Sequence, residues 1–190
     1  MAKSVRTQRT YKNETEHAKG GKPAPTNAEN VERQTLIDGL NQDLAGEYQA
    51  ILMYIHYSAK LTGPYRRELR SLFQAEIADE QGHAQFLSDK IAALGGEPTT
   101  EPRPVPGADH PLDMLEQALA AEEKAIEDYN ERILQAARYG DGGLKVVLEN
   151  QVADETRHKE EIERILAGWN EVILERDRQV DQWQDDGGQG

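Results

Sequence analysis

The sequence predicts an all-α protein, a four-helix bundle with one long crossover between its second and third helices. Three observations carry that expectation. Apolar residues recur at three- and four-residue steps along four long stretches, glycine or proline bounds each stretch, and one proline-rich segment separates the first pair from the second. The chain has 190 residues and 37% hydrophobic content, enough for one domain with a real core. Mean hydropathy is -0.80, and no window approaches the run of about eighteen apolar residues that a membrane span requires. There are no cysteines, and Met1 is followed by a polar, charged stretch. Nothing therefore suggests disulfides, thiolate metal sites or secretion, and the cytoplasm is the expected location. The formal charge of -13, from 35 acids against 22 bases, argues against a nucleic-acid-binding body and suits one that handles cations.

Residues 1–30 carry six Lys or Arg against three Glu, among Thr, Asn, Gly and Pro. That composition predicts a basic, disordered tail. The bundle is expected over residues 31–168. From about Val31, Leu36, Leu40, Leu44, Ile51, Tyr54 and Ile55 mark an amphipathic helix that ends near Lys60. Leu61-Thr62-Gly63-Pro64 supplies a stop and a restart, since glycine terminates a helix and proline is tolerated in the first turn of the next. The second helix runs from about Pro64 to Leu94, and its inward stripe reads Leu69, Phe73, Glu76, Glu80, His83, Leu87, Leu94. Three polar residues thus sit in the middle of an apolar seam. Gly95 to His110 contains four prolines and predicts a loop of sixteen residues. Pro111 restarts a helix to about Tyr139, Gly140-Asp141-Gly142-Gly143 breaks it, and a fourth helix runs from Leu144 to about Gly168 with Leu148, Glu155, His158, Ile162 and Ile165 inward. Over residues 169–190, Trp169, Ile173, Val180 and Trp183 form a weakly periodic segment compatible with a short fifth helix before a flexible acidic tail.

The two short turns force antiparallel hairpins. A helix of about 28 residues is ~42 Å long, and sixteen extended residues reach at most ~53 Å. The proline-rich loop can therefore traverse the bundle, and the expectation is that it starts the third helix at the end where the first one starts.

The two hairpins repeat each other at an offset of seventy-five residues. Glu47, Ala50, Ile51 and Tyr54 return as Glu122, Ala125, Ile126 and Tyr129, a shared E-x-x-A-I-x-x-Y. Ala78-Asp79-Glu80-Gln81-Gly82-His83 returns as Ala153-Asp154-Glu155-Thr156-Arg157-His158, a shared A-D-E-x-x-H. Glu47 and Glu80 lie almost symmetrically about the Gly63-Pro64 turn, as do Glu122 and Glu155 about Tyr139-Gly140, so each pair faces across its hairpin. Residues three apart share a helix face, so each Glu-x-x-His aims a carboxylate and an imidazole at one point. Four carboxylates and two imidazoles are therefore expected at mid-bundle. Buried together without counter-charge, the carboxylates would repel and be costly to desolvate, and two divalent ions would cancel their charge. Oxygen and imidazole ligands with open positions suit iron, or alternatively manganese, over a structural zinc site. A further Glu-x-x-His, at Glu14 and His17, sits in the tail with nothing to complete a site, and His56 and His110 have no carboxylate partners.

One Glu from each of two helices with Glu-x-x-His from each of the other two is the di-metal signature of ferritin-like bundles. Residues from about Arg33 to Gly168 resemble a bacterioferritin, also in the crossover and in Gly96-Glu97-Pro98 after the second helix. The resemblance implies that Glu47, Glu80, His83, Glu122, Glu155 and His158 are the ligands of two iron ions per chain, with Glu80 and Glu155 as bridges. It places Tyr54 beside that centre, and Glu76 and Asp79 on the route from it toward a cage interior, where Ala75 replaces the accompanying histidine. No haem is expected, because Gln81 stands where those proteins carry the haem-ligating methionine.

The implied function is that of a ferroxidase and iron storage or detoxification protein: Fe(II) is oxidised with dioxygen or hydrogen peroxide by an enzyme that positions two metals together. The implied assembly is a homo-oligomer, of dimers that build a hollow cage of twenty-four subunits. Two alternatives keep parts of this reading. One is a peroxide-consuming di-metal enzyme, similar to a rubrerythrin or a manganese catalase. The other is a non-enzymatic scaffold that contacts DNA through the basic tail.

Overall fold

The computed structural model describes residues 26–186, with side chains as far as residue 169. Helix α1 spans Asn27–Lys60 and starts earlier than its apolar periodicity suggests. Its start is set by a capping box: Glu29 N donates to Thr26 Oγ1 at 3.2 Å while Thr26 N donates to a Glu29 carboxylate oxygen at 2.7 Å. Residues 26–30 are thus cap and first turn, and the rest of the expected basic tail lies outside the described residues. Helix α2 spans Arg66–Ala93, α3 Pro111–Tyr139 and α4 Gly142–Asp186.

The glycines at the two turns do what only glycine does cheaply. Gly63 and Gly140 hold φ of 87° and 84°, in the left-handed region. At the end of α3, Asp141 N donates to Ala136 O at 2.9 Å, and Asp141 then accepts from Leu144 N at 2.9 Å to cap α4. A Cβ at Gly140 would meet no atom within 4 Å, so the cost of Gly140→Ala is backbone strain alone. We expect it to destabilise by about 1–2 kcal/mol, which lowers the melting midpoint by roughly 2–8 °C. An unchanged thermal melt would mean that this turn is not held in the left-handed conformation.

The crossover corrects one expectation. From Leu94 to His110 the chain runs alongside α1: Asn41 binds Glu97 O and Thr99 N, Arg103 N donates to Ala45 O, Tyr57 Oη donates to Pro106 O, and Lys60 Nζ donates to Ala108 O. It therefore rises with α1 and starts α3 at the end where α1 finishes, not where it begins. The reason is geometric, since α2 has already returned to the start of α1 and a loop that traverses the bundle must end at the opposite side. Helices α1 and α3 are antiparallel as a result, which sets Tyr129 opposite Glu47 and Arg132 opposite Asp43.

Beyond Gly168 the chain does not break. Helix α4 continues to Asp186, so the segment read as a separate fifth helix is helical but continuous with α4. A glycine in a helix interior costs only about 1 kcal/mol relative to alanine, and no proline or turn sequence follows to stop the helix. Residues 187–190 of the expected flexible tail lie outside the described residues.

The core falls into two apolar layers. One, toward the Gly63 turn, gathers Tyr57, Leu61, Leu69, Phe73, Met114 and Ile162. The other, toward the Gly140 turn, gathers Leu36, Leu40, Leu87, Ile91, Ala136 and Leu148. Between them lies a layer of buried charge.

Candidate metal centre

That layer contains all six side chains singled out by the repeat. Glu47, Glu80, His83, Glu122, Glu155 and His158 are buried, none more than 8% exposed. Their ligand atoms form two overlapping groups, Glu47, Glu80, His83 and Glu155 on one side and Glu80, Glu122, Glu155 and His158 on the other, each within 4.8 Å. Glu80 and Glu155 belong to both groups. The two oxygens of Glu155 divide between them: Oε1 lies 2.9 Å from His83 Nδ1 and Oε2 lies 3.5 Å from His158 Nδ1. This is the placement expected of a shared carboxylate.

Both imidazoles present Nδ1 to the carboxylates and Nε2 outward. His83 Nδ1 also lies 3.6 Å from both Glu47 and Glu80, and His158 Nδ1 lies 3.8 Å from Glu122. On the outer side, His158 Nε2 meets Glu76 at 2.8 Å and Asp79 at 3.5 Å, while His83 Nε2 meets Asp154 at 3.9 Å. Each A-D-E-x-x-H motif thus lends its Asp to the histidine of the other. A carboxylate behind the second ring nitrogen fixes tautomer and ring orientation at metal sites. Glu76, Asp79 and His158 form a third, half-open group of donor atoms.

Close as they are, these atoms do not satisfy one another. Glu47 Oε2, both oxygens of Glu155, and Nδ1 of both His83 and His158 are buried without a hydrogen bond, and so is Gln151 Oε1 one turn from Glu155. His83 Nδ1 and Glu155 Oε1 approach to 2.9 Å without hydrogen-bond alignment, so both point at shared space rather than at each other. Orphaned buried polar atoms are costly. A cation in each group would satisfy the glutamate oxygens and histidine nitrogens together, and this donor set fits iron or manganese.

Burial and like charge also govern protonation. Burial, with Glu47 beside it, pushes the Glu80 carboxyl well above the usual range, and burial pushes Glu122 up to about 8. Burial would also raise Glu155, but His158 and His83 pull it down to about 2. Burial would lower both imidazoles, yet the carboxylates around them win: Glu155, Glu47 and Glu80 raise His83 to about 12, and Glu122, Glu155 and Glu76 raise His158 to about 12.

Tyr54 lies where its sequence position suggests, fully buried, with its hydroxyl donating to Glu122. Tyr129 makes the mirrored bond, its hydroxyl donating to Glu47. Burial, with these carboxylates adjacent, pushes both phenols well above their ordinary value, so both remain donors. Sequence reasoning singled out only Tyr54, although E-x-x-A-I-x-x-Y contained the signal for both. It also missed the buried Asp43–Arg132 pair and the side chain of Arg103. His110, given no role, caps α3 by accepting from Leu112 N at 3.2 Å.

A family model described as a ferritin-like domain matches residues 37–172. The bacterioferritin of Mycobacterium leprae is 30% identical over 129 residues, which cover 67% of this chain and 81% of that protein. Among solved structures, the chain is similar to a ferritin-like, diiron-carboxylate protein from Bacillus anthracis, 49% identical with a TM-score of 0.70, over 71% of this chain and 97% of that one. It is also similar to the bacterioferritin of Desulfovibrio desulfuricans, whose diiron site has been described in different catalytic states, at 26% identity and a TM-score of 0.69 over 75% and 84% of the two chains.

Proposed function

Because the chain belongs to the family of ferritin-like domains, we propose that it is a ferroxidase that oxidises Fe(II) and stores or detoxifies the product. The observation that carries this reading is the pair of buried donor groups sharing Glu80 and Glu155. Two Fe(II) ions per chain are the substrate, with one in the group that includes His83 and one in the group that includes His158. Two ions held side by side deliver two electrons to one oxidant, so that hydrogen peroxide with two protons leaves as two waters and no radical escapes. The protein's share of the work is to orient the imidazoles through Glu76, Asp79 and Asp154, to hold Glu47 and Glu122 through the tyrosine hydroxyls, and to exclude bulk water with the apolar layers on either side.

No haem belongs to this reading, since Gln81 offers an amide where a thioether would be needed. Leu52 and Ile55 are 45% and 48% exposed on the same face of α1 as Tyr48 and Ile51. Such a patch favours assembly into a homo-oligomer, for which a closed cage is the form suited to storage.

An anaerobic Fe(II) titration tests the proposal, followed by exposure to air and a sizing column on which iron and protein are read together. Continued iron uptake well past two per chain, travelling with a cage-sized particle, is the expected result. Oxidation that stops at two per chain would replace storage with a di-metal enzyme that consumes peroxide, and no oxidation would overturn the ferroxidase reading.

A further inference from the structure

The two sides of the centre differ in charge and in access. On the α1/α3 side a small cavity reaches it, with Glu47, Glu80, Glu122 and Glu155 at its floor. Arg103, Lys124 and Asp128 also line it and form a bridge of charges at its outer end, the mouth. Arg103, from the crossover, donates through Nη2 to Gln42 O and to Asp128 Oδ2, both at 2.8 Å. Lys124 donates to the other oxygen of Asp128 at 2.8 Å. Gly46 makes room for the guanidinium, since a Cβ there would lie 3.3 Å from Arg103 Nη1. The crossover is thereby fastened across the mouth by Arg103, and Ala121 and Ala125 form walls of the cavity below it.

Size and charge together decide what this cavity admits. Its volume is about 30 Å³, and a water-sized group needs roughly 10–15 Å³. Two heavy atoms fit, whereas a hydrated divalent ion with its shell of waters does not. Arg103 and Lys124 there are balanced by Asp128 and Glu127, so this end offers a cation no net attraction, while an uncharged molecule is indifferent to it. The α2/α4 side carries an excess of acid. There Glu76, Asp79 and Asp154 surround the outer imidazole nitrogens, and among the described residues Arg157 is the base set against them, paired with Asp154 at 2.7 Å.

We infer that the α1/α3 cavity is an oxidant port, which admits an uncharged molecule of two oxygen atoms to the centre while metal enters from the α2/α4 side. The inference rests on the metal reading proposed above. Arg103 is the gate and the alanine walls set the bore. Widening the mouth should speed the oxidant alone, and filling the bore should slow it alone.

Two variants outside the ligand set test this in the full chain. Ala125→Leu fills the bore and Arg103→Ala opens the mouth. Metal entry is read as the rate and stoichiometry of Co(II) uptake from its visible absorption, which also reports an intact site. Oxidant entry is read anaerobically, as the rate at which hydrogen peroxide oxidises protein preloaded with Fe(II). Ala125→Leu is expected to slow the peroxide reaction by about tenfold, equivalent to ~1.4 kcal/mol of barrier, and to leave Co(II) uptake as in wild type. Arg103→Ala is expected to raise the peroxide rate with Co(II) uptake again unchanged. A peroxide rate unmoved in both variants overturns the port, and so does slower Co(II) uptake in Ala125→Leu, which would make the cavity the metal's own route. Wild-type protein that takes up no Co(II) would overturn the metal reading itself, a distinct result.

Discussion

Glu155→Gln is expected to abolish tight metal binding and rapid iron oxidation while the bundle stays folded. Glu155 faces both imidazoles, one through each oxygen, and it is 1% exposed. Glutamine keeps the volume but removes the charge and turns one oxygen into a donor, which faces a cation badly. The loss in affinity should exceed about a hundredfold, the most that removal of even an outer-shell partner costs. A thermal readout separates binding from catalysis. Metal at about a hundred times Kd stabilises by ~2.7 kcal/mol, and a hundredfold weaker site reduces that gain to a few tenths. Co(II) should therefore raise the melting midpoint of wild type and barely move that of Glu155→Gln. An equal rise in both would remove Glu155 from the ligand set.

The same site predicts a pH dependence whose sign follows from the protonation states. In the metal-free protein at neutral pH, His83 and His158, raised to about 12, and Glu122, raised to about 8, hold protons, and burial pushes Glu80 in the same direction. Metal must displace them, so binding releases protons and affinity rises with pH. Glu155 works the other way on the metal-free fold. Its carboxyl is depressed to about 2, below its ordinary value, so the stability it contributes is present above that ordinary value and is lost as pH falls through about 2. Proton release on Co(II) addition, followed with an indicator dye in weakly buffered solution, should fall sharply in Glu155→Gln.

The six candidate ligands were legible because two rules of helix geometry suffice to find them. Residues three apart share a face, and positions equidistant from a tight turn meet across a hairpin, so Glu47 finds Glu80 and Glu80 finds His83 without any knowledge of the tertiary fold. The direction of α3 follows from a sixteen-residue loop that traverses the bundle, but what holds the loop on that course was not legible by those rules. The ties are polar contacts from Asn41, Tyr57 and Lys60 of α1 to loop backbone, and surface polar residues of this kind carry no pattern that marks them. Arg103 and Arg132 escaped for the same reason. Arg103, on the crossover, reaches Gln42 and Asp128, 61 and 25 residues away, and Arg132 reaches Asp43, 89 residues away, in registers that periodicity does not fix. Tyr129 is a different case, for the repeat displayed it beside Tyr54 and only its mirrored bond to Glu47 shows the two as equivalents.

Arg132→Met is expected to be among the most destabilising single changes in the chain, although it touches no candidate ligand. Arg132 and Asp43 are 2% and 3% exposed and are joined by two hydrogen bonds of 2.7 and 3.1 Å, a bidentate pair sealed between α1 and α3. Removing one partner of such a pair leaves an uncompensated buried charge, at a cost of about 3–5 kcal/mol, which corresponds to a fall of roughly 6–20 °C in melting midpoint. The pair also has a seat. A Cβ at Gly39 would lie 1.7 Å from Arg132 Nη1, so Gly39→Ala must expel the guanidinium and should damage wild type for the same reason. In the Arg132→Met background that clash is relieved, and alanine's better helix propensity, about 1 kcal/mol, should offset much of what remains. The two substitutions are thus expected to be strongly non-additive. Asp43 gives the sign of the pH dependence. Burial already pushes it up to about 6 against the pull of Arg132; with the guanidinium gone it rises further, and the folded state then binds a proton the unfolded state lacks. Stability of Arg132→Met should therefore fall more steeply than that of wild type as pH rises from about 5 to about 8. Asp43→Leu combined with Arg132→Met should recover most of the loss and flatten that slope, because no buried charge is left unpaired. Parallel melts of the four variants that leave Gly39→Ala additive with Arg132→Met, or Asp43→Leu with Arg132→Met no better than Arg132→Met alone, would show that the pair is not what joins α1 to α3 at this level.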